Sequence, residues 1–253
     1  MNIVRSIKWL ETGATVLVVA ALLTSCGRKQ QNIDPTAFAA GWLATETEHM
    51  TLFEPPDSPR VSLQMRFAEN SEEVLTRLME LLELDLPEKI EIYRFVTNQD
   101  CLDATGHSAG YVDGYRIYTR IGAPMGGALA LAAFTSVDPE AASFELIRDG
   151  FREAFDHLYD NLHQETSRLR AEGRWLPLQE LITPGEIADR EAYDAQSASF
   201  VGYLIQRHGV EKFKMLWRSV LELGPSLEKI YGGSVRQIEE DWIVHLEREA
   251  KKA

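Results

Sequence analysis

Met125-Gly-Gly-Ala-Leu-Ala-Leu-Ala-Ala-Phe134, then Thr-Ser-Val-Asp-Pro as a break, then Glu140-Ala-Ala-Ser-Phe-Glu-Leu-Ile-Arg-Asp-Gly-Phe-Arg-Glu-Ala154, is the stretch on which the reading of this chain turns. It predicts two apolar helical segments in mid-chain. The run from Gly127 to Phe134 is apolar nearly all round, as expected of a central buried helix. Asp138-Pro139-Glu140 reads as a helix start, with Asp as the cap and Pro in the first turn, for a helix reaching about residue 160.

Upstream of this stretch the pattern is rich in strands. Residues 48–53 alternate loosely, and Glu54-Pro-Pro-Asp-Ser-Pro59 is a turn-rich break. Val74, Leu75, Leu78, Met79 and Leu82 keep the spacing of one face of a helix over 69–84, closed by Pro87. Residues 89–97 form the strongest strand signal, with Ile90, Ile92, Phe95 and Val96. Tyr111-Val-Asp-Gly-Tyr-Arg-Ile-Tyr-Thr119 reads as a hairpin turning at Asp113-Gly114.

Downstream the chain is helical. A short helix or turn fits 178–182, and a long helix fits 190–207, closed by Gly209. Another fits 210–222. A short one capped by Ser226 ends at Gly232-Gly233. Ser234 and Gln237 form a capping box for the last helix, where Val235, Ile238, Trp242 and Leu246 lie close to one face. The fold class expected is α+β, a small antiparallel β-sheet lobe followed by a mainly helical lobe. Residues 42–248 read as one domain, after a tether over 26–41 whose end, Phe38 to Trp42, packs on it.

The chain has 253 residues and a formal net charge of −13. An acidic surface repels phosphate, so nucleic acid is not an expected partner. Only two cysteines are present, Cys26 and Cys101. Cys101 reads as a small buried residue, with Asp100 and Asp103 raising its thiol pKa.

The first residues read as a targeting segment. Arg5 and Lys8 give a positive start, Ala14 to Leu23 is an uncharged apolar run too short to span a bilayer, and Leu23-Thr24-Ser25-Cys26-Gly27 follows. This arrangement resembles the lipobox of bacterial lipoproteins. The resemblance implies a signal peptide over 1–25, with Cys26 as the acylated mature N-terminus, held to the membrane by its lipid. Gly27, where aspartate would signal inner-membrane retention, fits a place in the bacterial cell envelope, on the periplasmic side of the outer membrane if the bacterium is Gram-negative. An uncleaved anchor with an incidental cysteine is the competing interpretation.

Residues 45–247 resemble the peptidase MA-like families, gluzincin-type zinc metallopeptidases. The resemblance rests on Tyr193-Asp-Ala-Gln-Ser-Ala-Ser-Phe-Val-Gly-Tyr-Leu-Ile-Gln-Arg-His-Gly-Val-Glu-Lys-Phe213, on Leu176 to Leu181, on Ile238-Glu-Glu-Asp-Trp242, and upstream on the strand at Lys89 and the hairpin at Tyr111. It implies a zincin-like fold. The family's chemistry needs His-Glu-Xaa-Xaa-His on one helix, so that two histidines share a face and bind zinc while the glutamate activates water. That motif is missing here. One register sets Ala128, Leu129 and Ala132 at the His, Glu and His positions, with Asp149 at the ligand position of the second motif. Another sets Phe144 to Arg148 against the first motif and still lacks both histidines. Asp149 and Glu153 are then either an acidic lining of the former cleft or an ordinary exposed helix face.

No catalytic residue, metal ligand or cofactor is therefore expected. The resemblance implies a membrane-anchored, non-catalytic relative that binds a peptide or protein partner or acts as an envelope scaffold. The alternative is an active metallopeptidase or other hydrolase with atypical ligands. His157 and His163, six apart, stand about 120° apart on a helix and do not converge. Asp156 and Asp160 share a face and read as solvated surface. His49, His107, His208 and His245 lie in separate segments, and His208 suits the negative end of its helix.

Overall fold

The computed structural model describes residues 33–58, 63–138, 144–156, 162–183 and 185–249. Leu23 to Gly27, including Cys26, and Pro139, Glu140, His157 and Asp160 lie outside the described residues. The chain divides into two units, Met1–Ala37 and Phe38–Ala253. The described part of the first holds a short 3-10 turn, Pro35–Ala37, in which Asp34 accepts bonds from the amide and hydroxyl of Thr36. Among the described residues no helix is long and apolar enough to cross a membrane.

The second unit is α+β. It starts with β1 (Leu43–Glu46), β2 (Met50–Glu54), α1 (Gln64–Leu82), β3 (Ile90–Phe95), α2 (Asn98–Thr105), β4 (Tyr111–Asp113) and β5 (Arg116–Arg120). The sheet order is β1-β2-β3-β5-β4. β1 pairs antiparallel with β2, and β4 with β5, while β3 runs parallel to both β2 and β5. The expected antiparallel sheet is thus corrected to a mixed one. The reason is connectivity: a helix leaving β2 and returning to β3 carries the chain back to the same end of the sheet, which makes the pair parallel.

Alternation along the strands sorts the two faces. Met50, Leu52, Ile90, Ile92 and Ile117 point into the core. That face ends in a buried ion pair, Glu54 with Arg94 at 2.5 Å, the guanidinium lying over the Phe67 ring of α1. The other face carries a row of rings, one each from β2, β3, β5 and β4: Phe53, Tyr93, Tyr118 and Tyr111, continued by His107. Phe38 packs edge-on against Tyr93 of this row, and Trp42 edge-on against Phe95 beside it.

Local signals explain most boundaries. α1 begins earlier than the periodicity suggests and ends at Leu82, where Glu83 adopts a left-handed conformation (φ 50°) and its amide reaches back to the last turn. β1 and α2 were not expected. α2 opens on a reciprocal capping box, Thr97 with Asp100. The hairpin turns at Gly114-Tyr115, one residue later than read, because Asp113 pairs with Arg116 and Gly114 takes the positive φ.

The helical half comprises α3 (Gly126–Val137), α4 (Glu145–Asp156), α5 (Leu162–Ala171), α6 (Leu178–Ile182), α7 (Arg190–His208), α8 (Val210–Trp217), α9 (Leu223–Leu227), a π-helical turn (Glu228–Gly232) and α10 (Val235–Glu249). α8 stops at Trp217, short of the expected 222, and Arg218 then reaches across to Asp138. Ser226 sits inside α9 and not at its start, bonding Ser219 and the Glu222 carbonyl. The Ser234–Gln237 box at the start of α10 forms as expected, and Ile238, Trp242 and Leu246 are buried. Phe134, Phe151, Phe155, Phe213 and Trp217 join α3, α4 and α8 in one aromatic cluster.

Candidate functional site

α3 is buried because its composition leaves it no polar face. Ala128 is 2% exposed, Leu129 1% and Ala132 0%. α4 lies directly on α3: a Cβ on Gly126 would meet the Phe155 carbonyl oxygen at 2.2 Å, and one on Gly127 would meet that of Arg152 at 2.2 Å. On its other side α4 meets α7 as closely, with Gly150 against the Ser197 carbonyl oxygen at 2.4 Å from such a Cβ. The three helices touch backbone to backbone.

These residues do not fit a zinc ion. Ala128 and Ala132 end at a methyl group and Leu129 in an isopropyl group, so the positions set against the motif supply no lone pair. Among the described residues no three His, Cys, Asp or Glu side chains are grouped to hold a metal. Asp149 lies on α4 with its side chain 25% exposed, near Arg148 at 3.9 Å and Arg190 of α7 at 3.6 Å. Glu153, one turn further, is half-buried. Asp149 also helps push the neighbouring buried Tyr193 hydroxyl up to about 12, after burial itself.

Three expectations on single residues are corrected. Asp156 is not solvated surface: its carboxylate accepts the Gly127 amide at 2.8 Å, so the end of α4 caps the start of α3. The Cys101 thiol is pushed up by burial, partly offset by Thr105, and not by Asp100 or Asp103. His208 does not sit as a cation at its helix end. Burial, then Lys212 and Arg207, lower its pKa, and its Nε2 lies 3.3 Å from the Tyr203 hydroxyl.

His208 lines a cavity of about 350 Å³ with Tyr203, Tyr231, Gln237, Glu240 and Asp241. It forms where α7 ends, the π-helical turn passes and α10 begins, and Gly232 (φ 76°) makes the turn there. The Tyr231 hydroxyl is buried with no hydrogen-bond partner, and burial raises its pKa. Burial and Asp241 push the Tyr203 hydroxyl up to about 12. Neutral hydroxyls and an imidazole, with carboxylates at the mouth, suit a small polar or basic group. The π-helical turn was not legible in the sequence, because Tyr231 reads there as one more helical aromatic.

The second polar cluster joins α5, α7 and α10. The His163 Nδ1 lies 2.9 Å from the Ser199 hydroxyl, which also accepts the Trp242 indole N–H at 3.2 Å. The His163 Nε2 lies 3.4 Å from the Gln206 Oε1 and 3.4 Å from the His245 Nε2. The two rings are perpendicular. Burial, then His245, lower the His163 pKa, so the ring is neutral near pH 7. His163 and His245, far apart in sequence, are therefore partners. The available signal was their placement: His245 borders the apolar stripe of α10, and His163 shares a face with Thr166 and Leu169.

Compared with protein-family profiles, curated proteins and solved structures, the chain matches none.

Proposed function

We propose that this is a lipid-anchored protein of the bacterial cell envelope in which a zincin-like fold, of the peptidase MA-like type, serves peptide or protein binding or scaffolding and not zinc hydrolysis. One observation carries the reading: the positions where the resemblance puts the zinc motif offer only methyl and isopropyl groups and are buried, with α4 pressed directly on the same helix. Unmetallated histidines buried there would each lack a partner, at a cost on the order of 1–3 kcal/mol, whereas alanine and leucine complete the core. The lipid anchor rests on the Leu23 to Gly27 pattern. Residues lining the cavity at Tyr203 and Asp241 supply the kind of surface that grips a polar or basic side chain of a partner.

The test of the catalytic half uses the full-length protein in detergent, with added zinc and a pool of fluorogenic peptides. No turnover is expected. Chelator-sensitive hydrolysis that disappears in Asp149→Asn would overturn the reading in favour of the alternative, an active hydrolase with atypical ligands. For the anchor, Cys26→Ala should leave the precursor unprocessed and release it from membranes. A variant that matures normally and stays in the membrane fraction would sink the lipoprotein assignment.

A further inference from the structure

We infer that His163, His245 and Gln206 form a binding site for one divalent transition-metal ion of the zinc class, remote from the α3–α4 positions discussed above. In a tetrahedral zinc site with Zn–N distances of about 2.0–2.1 Å, neighbouring ligand atoms stand about 3.3–3.4 Å apart. The two imidazole Nε2 atoms face each other at 3.4 Å, and the Gln206 Oε1 stands 3.4 Å from that of His163. Three donor atoms thus have tetrahedron-edge spacing along both measured edges.

The surroundings match what such ligands need. A metal-bound histidine directs its other ring nitrogen to an acceptor that fixes its orientation. His163 does this through Nδ1 to Ser199, and Ser199 is itself held by Trp242. In that tautomer the Nδ1–H donates and Nε2 presents its lone pair to the ion. Glu249, one turn beyond His245 on α10, acts electrostatically on His163 and brings negative charge to the same side. Gln206 is exposed, so ions have a path in from solvent. Two imidazoles with oxygen donors are a set that Zn²⁺, Co²⁺ and Ni²⁺ accept. The ion would pin α10 to α5 and α7, at a site independent of any hydrolysis.

The experiment titrates full-length protein in detergent with Co²⁺, reading the visible d–d absorption of tetrahedral cobalt, then displaces it with Zn²⁺. One ion per chain is expected, with a rise in melting temperature on saturation. His245→Gln and His163→Gln should each weaken binding by about 100-fold or more, and Ser199→Ala by about 10- to 100-fold through the lost orientation of His163. His245 is half-buried, so its variant should fold even where the buried His163 variant does not. His49→Gln, altering the histidine that pairs with Glu72, should bind as the parent does. Absence of stoichiometric cobalt binding, equal binding by His245→Gln, or loss of binding in His49→Gln would each overturn the site. Because this assay reads metal and not turnover, its outcome is independent of the peptide assay.

Discussion

Two serines two residues apart on α7 stand in opposite kinds of packing. Ser197 faces α4, where its carbonyl oxygen sits under Gly150 and its hydroxyl turns back to the Tyr193 carbonyl at 2.6 Å. Ser199 lies about 200° around the helix from Ser197. Its hydroxyl joins Trp242 of α10 to His163 of α5. On the first face contact is made by backbone approach and needs small residues. On the second it is made by directed bonds and needs particular donors and acceptors. One helix thus supports a close backbone stack on one face and a polar corner with nitrogen and oxygen donors on the other.

The contrast breaks most sharply at Gly150. Gly150→Ala places a methyl group against immobile backbone, and stability should fall by about 3 kcal/mol. A lower urea midpoint at unchanged slope would register it. A loss under about 1 kcal/mol would mean that α4 and α7 do not approach so closely. Ser199→Ala should cost about 2 kcal/mol, since the Trp242 indole and His163 are left short of a partner. Ser197→Ala should cost well under about 1 kcal/mol, because its hydroxyl bond is a local one to its own helix. Equal losses at the two serines would erase the distinction drawn between the faces. Trp242→Phe removes the N–H together with the five-membered ring from a fully buried site, so a loss of about 2 kcal/mol in thermal or urea unfolding combines the lost bond with a small cavity.

The smallest effect is one of pH. The folded His163 pKa lies below its ordinary value of 6.5, so the unfolded chain takes up a proton that the folded chain refuses. Stability from this residue is complete above pH 6.5 and declines as pH falls from there toward the folded pKa. His163→Gln should flatten the stability curve in that window, as measured by urea titrations at a series of pH values. An unchanged slope would show that His163 does not titrate as described.

Much of the fold was legible because it rests on local rules. The strand at Ile90–Phe95, the short helix at Leu178–Ile182, the Ser234–Gln237 cap and the buried face of α10 follow from periodicity and capping chemistry. The direction of the strands was misread, since alternation fixes which side chains are buried and not which way a neighbour runs. The strand-helix-strand order through α1 held that information. α2 went unrecognised although Thr97 and Asp100 spelled its cap. At the positions set against the zinc motif, Ala128, Leu129 and Ala132 could be read as donor-free from their identities alone. The histidine pair could not, because nothing local ties residue 163 to residue 245.

Residue types by themselves determined that this chain is acidic, that its helices have the faces they have, and that no His-Glu-Xaa-Xaa-His stands on α3. These properties belong to single residues or short windows, where covalent chemistry and i, i+4 geometry suffice. Only the tertiary structure decided that Asp156 caps α3, that Tyr231 closes a cavity, and that His163 meets His245. Those outcomes depend on where helices cross, and crossings are set by the summed packing of many side chains, which no window of sequence contains.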